Sequence, residues 1–413
     1  MRKKITLLSI ACLLFLSCFE VQAQQKDRVI EGISLDRLKR YENYIKEEIQ
    51  QGKIPGAVSL IMRNGVVLHK EAYGYSNIEE QKPMNTNAIF SIQSMTKAVN
   101  SVAIMMLYEE GKFQLNDPVS MYIPAFKNLR VIKDPEDGKN GQTVELEAEI
   151  TIFNLLTHTA GFGYGPFGEG NKLDYDYLEV WKEPNSQPNI ASRVDAYLQL
   201  PLMNQPGQEW RYSIANDILS ALIEKFSGMT TRDFFQERIF KPLEMHETDY
   251  NVPDDTQSRI VQLYTYSEED RLAATPHNTP FTGNTIWQGK SGLFSTISDF
   301  KNFCEMLLND GERNGVRILS RKTVQIMTTN QTGDLFRQLH GYGFGLGFAV
   351  LDDLAESKGL GSEGIFYWVG AYNTHFAIDP TENLIVMFFT QRRPFDWNYH
   401  HKMLQLVYQA IVD

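Results

Sequence analysis

Ser94 and Lys97 stand three residues apart at the head of FSIQSMTKAVNSVAIMMLYEEGK, residues 90 to 112. A serine ahead of a helix is a favoured N-cap, so the pair alone is compatible with a cap and a stray charge. The same spacing puts both side chains on one side of a helix. There a desolvated amine can take the serine proton, and the helix N-terminus favours negative charge developing nearby. The segment that follows, AVNSVAIMMLY, is apolar nearly all round and is expected to be buried centrally. Burying Lys97 at its start is costly unless the amine is hydrogen-bonded or its pKa falls below the usual value of about 10.4.

Two distant segments bear on the same question. In NQPGQEWRYSIANDILSALIEKFSG, Tyr212 follows a Pro206-Gly207 turn and precedes a helix, a place that suits a packing aromatic as well as a site residue. In YWVGAYNTHFAIDP, Gly370 lies inside an apolar strand. Glycine weakens a strand interior unless something approaches the backbone closely, and a strand edge offering an N–H to an acyl oxygen would be such a reason.

The elements that would position these residues can be read by periodicity. SLDRLKRYENYIKEEIQQGK is a helix with a Ser34 cap and a Gly52 stop, followed by two apolar runs around Arg63-Asn64-Gly65, a hairpin signal. Near the other end, GYGFGLGFAVL, GIFYWVGAYNTHFAI and NLIVMFFTQ read as three strands, with DPTEN as the second of their turns and NYHHKMLQLVYQAIV as a closing helix. Five strands in one antiparallel sheet are expected, flanked by both terminal helices. The interior is mostly helical, with KDPEDGKNGQTVELEAEI as a surface hairpin. The predicted architecture is α/β: a sheet domain formed by residues 24–93 and 331–413, interrupted by an all-helical domain over 94–330, with a cleft between the two.

Composition narrows the function classes. The chain has 413 residues and a net charge of −11, and no basic patch dense enough for nucleic acid. MRKKITLLSIACLLFLSCFEVQAQQ has a basic start, an apolar run and a small-residue cleavage site ending at Ala23, so residues 1–23 read as a secretory signal peptide. A lipoprotein processed at Cys18 is disfavoured, because Phe15 stands where leucine is usual. No later apolar run reaches membrane length, so no transmembrane segment is expected in the mature chain, which would be periplasmic or secreted. Cys304 would then be the remaining thiol, leaving no internal disulfide.

Taken together, the segments resemble the serine β-lactamase and penicillin-binding-protein superfamily, in its class C β-lactamase-like branch, which includes family VIII carboxylesterases. SIQSMTKAVNSVAIMMLYEEGKFQLNDPVSMYIPAF resembles the nucleophile segment and ITIFNLLTHTAGF the LLTHTSG stretch. PGQEWRYS with PLEMHETDY resembles the tyrosine region, and WVGAYNTHFAIDP the third motif. The resemblance covers nearly all of the mature chain and implies a β-lactamase/transpeptidase-like fold. It implies Ser94 as the acylated nucleophile, Lys97 as its proton partner and Tyr212 as the second proton-transfer group. The backbone N–H groups of Ser94 and Ala371 would form the oxyanion hole, and Trp368 and Gly370 would line the cleft floor. The implied reaction is two-step acyl transfer on a small-molecule acyl substrate, without metal or other cofactor.

Departures from the family pattern shift the substrate. The class C Tyr-x-Asn appears as Tyr212-Ser213-Ile214, although Asn216 lies one helical step away. The usual Lys-Thr-Gly appears as Trp368-Val369-Gly370, which removes a cation for a drug carboxylate and resembles the esterases. The literal match Lys290-Ser291-Gly292 is followed by Leu-Phe and a Ser295-capped helix, and resembles the family's glycine-rich turn. Lys290 is kept as a substrate-binding candidate on a cleft loop. A carboxylesterase is therefore expected. The alternatives are a β-lactamase, a D-amino-acid peptidase, acyl transfer to an acceptor other than water, and a penicillin-binding sensor that acylates without turnover.

Other patterns lose. GYGPFG, residues 163 to 168, precedes no helix and reads as a cleft-side loop, not a dinucleotide site. No GxSxG or HExxH occurs, His158 is read as ordering a turn, and Arg392-Arg393 as solvated charges. Nothing in the sequence reports oligomeric state.

Overall fold

A computed structural model describes residues 27–182, 185–336 and 338–413; the expected signal peptide lies outside them. One antiparallel sheet organises the chain. Its strands are β1 (Gly56–Arg63), β2 (Val66–Asn77), β3 (Lys82–Pro83), β4 (Tyr342–Phe344), β5 (Ala349–Leu351), β6 (Phe366–Gly370), β7 (Thr374–Asp379) and β8 (Leu384–Phe389). Their order is β4-β5-β6-β7-β8-β1-β2-β3, which places the two ends of the sequence side by side through the β8–β1 pairing.

The sheet therefore has eight strands where five were expected. Two of the predicted strands are folded hairpins. GYGFGLGFAVL turns back where the Gly345 N–H donates to Phe348 O at 2.8 Å, and Gly347 (φ +99°) lies so close to Ser101 that no Cβ would fit. The second break falls at Asn373 (φ +61°), whose N–H closes on Gly370 O at 2.9 Å while its side-chain amide donates to Arg392 O at 2.7 Å. Lys82–Pro83 adds a two-residue edge. The Asn64-Gly65 turn, with φ +52° and +77°, forms the expected tight hairpin between β1 and β2.

Helices of eight residues or more are α1 (Leu35–Gln50), α2 (Thr96–Glu109), α3 (Lys172–Trp181), α4 (Ile190–Tyr197), α5 (Ala215–Ser227), α6 (Ile297–Leu308) and α7 (Trp397–Tyr408). Strand alternation sends neighbouring side chains to opposite faces of the sheet. Phe388 stacks on Tyr399 of α7 with centroids 5.8 Å apart, whereas Phe389 meets Phe300 of α6 at 6.3 Å. The terminal helices α1 and α7 pack together on one face, and α6 packs on the other. Helix α2 is buried from Thr96 through Leu107 as its apolar circumference requires, with α5 as its main helical neighbour. The expected surface hairpin is present as paired segments Val131–Ile132 and Thr143–Val144. The cap of α6 is Thr296, not Ser295: Thr296 accepts from Asp299 N–H, while the Ser295 hydroxyl turns to Thr248 at 2.8 Å.

Arg392 corrects another expectation. It is buried, stacks over Tyr399 at 5.3 Å and donates to the Pro394 carbonyl, because α7 folds across the end of β8. Arg393, partly exposed, reaches Thr275 at 3.5 Å.

The face under α7 holds a pair of fully buried histidines. His375 and His400 lie with ring centroids 5.9 Å apart, and no ring nitrogen of either has a hydrogen-bond partner among the described residues. Burial pushes the His375 pKa down to about 3 and holds His400 well below the ordinary imidazole value, with the neighbouring ring adding to the effect on His400. Both rings are neutral when folded. Below pH about 6.5 the unfolded chain takes up protons that the folded chain refuses. Stability is thus expected to fall with pH, by up to roughly 1.4 kcal/mol per pH unit for each ring. For His375 the window closes near pH 3. Denaturant unfolding at several pH values checks this, and His375→Phe should show a shallower acid decline; an unchanged slope would refute the assignment.

Candidate active site

Ser94 lies in a 3-10 turn, Gln93–Met95, that runs directly into α2. Its hydroxyl caps no backbone N–H, so the cap reading is not the one the structure takes. The turn is entered through Gln93 at φ +45°, a left-handed conformation that a non-glycine residue adopts only under constraint. The Gln93 amide donates to Ser91 Oγ at 2.7 Å, and the Ile92 N–H to Leu293 O at 3.0 Å. These bonds hold the turn with Ser94 only 9% exposed.

Lys97, 1% exposed, sits one turn on. Its Nζ donates to the Lys290 carbonyl at 2.8 Å and stands 3.5 Å from Ser94 Oγ, at the outer edge of hydrogen-bond reach. It also faces the rings of Tyr212, 4.4 Å from the centroid, and Tyr164, at 5.2 Å. Burial pulls its pKa well below the ordinary lysine value, the Lys290 charge pulls the same way, and the Asp217 carboxylate opposes both.

Tyr212 approaches from the segment ahead of α5. Its ring lies 5.8 Å from Trp368, 5.0 Å from Tyr164 and 5.1 Å from His158. Burial raises the phenol well above its usual pKa and Tyr164 adds to this, while contacts to Ser94 and Trp368 act the other way. His158, at φ +56°, braces this segment: its Nδ1 is 3.0 Å from Ser213 Oγ, and its carbonyl accepts from Arg211 N–H at 2.9 Å. The bond to Ser213 fits the expected turn-ordering role.

Trp368 and Gly370 lie on β6, which packs against the Ser94 turn. A Cβ on Gly370 would collide with the Ile92 carbonyl and with Thr374 Oγ1, so the close approach inferred for this glycine is to the backbone just ahead of Ser94. Ala371 follows, exposed at the head of the β6–β7 turn. Asn216 is not a cleft residue. It accepts from the Asn100 amide through both its carbonyl and its Oδ1, tying α5 to α2.

The cleft beside Tyr212 has a volume of about 740 Å³, and Tyr164, Phe167, Trp210 and Tyr212 supply an aromatic wall. GYGPFG is thus a cleft-side loop, with Phe167 exposed and stacked on Tyr164 at 5.3 Å. Lys290 does not line this cleft. It is 1% exposed behind the rings of Trp181 and Tyr164, which its Nζ faces at 4.1 and 5.6 Å. Sequence reasoning missed Tyr164, Gln93, Asp217 and Arg193. Tyr164 was within a recognised loop, but the other three carry no local signal. Among the described residues, no group of three or more His, Cys, Asp or Glu could hold a metal ion.

Gly370→Ala tests the packing. The added methyl must push β6 away from the Ser94 turn, and displacement near 1 Å costs about 10²-fold in rate. Overpacking is expected to destabilise the fold by about 1–3 kcal/mol. Acylation rate and thermal unfolding measured together check both, and wild-type acylation in this variant would disprove the close-contact argument.

Comparisons with known proteins agree on the relationship. The Beta-lactamase family model matches residues 41–408. Protein Rv1367c of Mycobacterium tuberculosis is 33% identical over 366 residues, covering 85% of this chain and 89% of that protein. Esterase EstB of Burkholderia gladioli is 25% identical over 369 residues, with the same coverage of each. Among solved structures, EstCE1, described as a hydrolase with promiscuous acyltransferase activity, superposes with a TM-score of 0.77 at 26% identity, covering 90% of this chain and 99% of that one. The chain belongs to the Beta-lactamase family and is a serine hydrolase.

Proposed function

We propose that this protein is an exported carboxylesterase-type hydrolase that works through an acyl-enzyme on Ser94. The observation that carries the reading is the Lys97 amine, buried between Ser94 Oγ and the Tyr212 ring with its pKa drawn well below that of a free lysine. A neutral amine at that point is a base, and a Tyr212 phenol held above its usual pKa is an acid.

Acylation then proceeds with all protons accounted for. Ser94 Oγ attacks the substrate carbonyl carbon as Lys97 Nζ takes its proton, and the N–H groups of Ser94 and Ala371 receive the oxyanion. As the tetrahedral intermediate collapses, the carbonyl–oxygen bond to the alcohol breaks. Tyr212 protonates the departing oxygen and regains a proton from Lys97. Deacylation runs the same sequence backwards with water in place of the alcohol. The aromatic wall of the cleft, and Trp368-Val369-Gly370 where the family's Lys-Thr-Gly would supply a cation, favour esters over lactams carrying a carboxylate. Similarity to Esterase EstB supports the same choice, and similarity to EstCE1 supports acyl transfer to other acceptors. Export rests on the signal-like residues 1–23.

Turnover of p-nitrophenyl acetate, nitrocefin and a D-Ala-D-Ala peptide, followed with intact-mass analysis, tests the proposal. Ser94→Ala should abolish acylation, and Lys97→Met and Tyr212→Phe should each lower kcat/KM by about 10²–10⁴-fold. Ester turnover surviving in Ser94→Ala would sink the mechanism. Rapid nitrocefin opening would establish a β-lactamase, D-peptide cleavage a peptidase, and stable acylation without turnover a sensor. The rate of the wild type should rise as pH climbs through the lowered Lys97 pKa, and decline only where Tyr212 ionises, above its ordinary value of about 10.

A further inference from the structure

Behind the nucleophile lies a second buried amine that the mechanism above does not use. Lys290 is held at three points. Its carbonyl accepts from Lys97 Nζ at 2.8 Å, its N–H donates to Asp217 Oδ1 at 3.1 Å, and its ammonium faces the Trp181 ring at 4.1 Å. The Trp181 ring is itself fixed by its indole N–H, which donates to the Tyr164 carbonyl at 2.5 Å. Lys97 and Lys290 therefore look onto the same Tyr164 ring, at 5.2 and 5.6 Å, from within a region closed to water. No acidic side chain forms an ion pair with either amine among the described residues. Asp217, fully buried, is the nearest compensating charge, and it bonds to the Lys290 N–H and the Tyr197 hydroxyl.

We propose that Lys290 is a positioning residue for the acyl-transfer site, whose buried ammonium, sealed by Trp181 and Tyr164, repels a second positive charge and so keeps Lys97 unprotonated and able to accept the Ser94 proton. Two like charges in one low-dielectric region cannot both form cheaply. The groups facing the pair are few. Ser94, Tyr212 and His158 face Lys97, Trp181 and Arg193 face Lys290, and Tyr164 and Asp217 act on both. Arg193 is buried, and two of its nitrogens have no hydrogen-bond partner among the described residues. Burial pulls the Lys290 pKa down to about 8, with Asp217 raising it and Arg193 lowering it, so Lys290 carries its charge at neutral pH. Lys290 thus acts on Lys97 twice, through a carbonyl that orients the amine and a charge that denies it a proton.

The inference rests on the Ser94–Lys97 reading, and its test separates the two. The full chain carrying Lys290→Met, or Lys290→Gln if the apolar variant fails to fold, is compared with Lys290→Arg and wild type. Each is assayed on p-nitrophenyl acetate, which has no carboxylate to meet a lysine. Without the Lys290 charge, Lys97 holds a proton more readily, so the acid limb of kcat/KM should move to higher pH. Ser94 should still be acylated on the alkaline side, and Lys290→Arg should leave the limb in place. An unmoved limb in a folded Lys290→Met enzyme that still acylates at Ser94 overturns this proposal alone. A change in KM with no shift of the limb also overturns it, because that is the mark of a substrate contact. Wild-type turnover without acylation at Ser94 overturns this proposal and the hydrolase mechanism together.

Discussion

Keeping one amine dry is the constraint on which the rest of this molecule depends. Lys97 has almost no contact with solvent, yet it is anchored by a single carbonyl and surrounded by rings rather than by counter-charges. An ammonium in such a place is poorly solvated, so the neutral form is favoured. That preference is what the proposed role of Lys97 as a base draws on. It also fits the setting of α2, a helix buried from Thr96 through Leu107 and packed chiefly against α5. A helix exposed along one face would let water reach its first turn.

The enclosing parts come from distant regions and meet with little clearance. Gly370 presses β6 onto the carbonyl of Ile92, and the strained backbone at Gln93 opens the 3-10 turn that carries Ser94 into α2. The cost of that conformation is met by hydrogen bonds from Gln93 to Ser91 and from Ile92 to Leu293, one local and one spanning half the chain. Asn100 adds a polar tie between α2 and α5, so the helix carrying Lys97 and the segment carrying Tyr212 are locked together by side chains that take no part in chemistry.

Much of this was legible in the sequence because it is periodic or punctuated. The spacing of Ser94 and Lys97, the apolar run behind them and the Asn64-Gly65 turn are local signals, and local physics decides them. Gly370 was legible for a subtler reason, since a glycine inside an apolar strand asks for a neighbour. The misreadings share a cause too. GYGFGLGFAVL and GIFYWVGAYNTHFAI read as single strands because their apolar content is continuous, while the residues that fold them back, Gly347 and Asn373, differ from their neighbours only in backbone conformation. Arg392 reads as solvated until α7 is laid over it. Lys290 and Asp217 become meaningful only once a turn near residue 290 is packed against the start of α2. No window of sequence contains both.

The contact between β6 and the Ser94 turn has a consequence for how the molecule comes to life. Thr374 Oγ1 lies 3.5 Å from Ile92 O across 282 residues of chain, and the Gln391 amide bonds to Ser91 O across 300. Closures of that span belong to the slow, late part of folding, since chain entropy opposes them until much else is in place. An N-terminal fragment emerging during synthesis would carry Ser94 and Lys97 without the strand β6 that packs against their turn. The region around Ser94 is in this sense a seam between the first and last thirds of the polypeptide, complete only when both have folded.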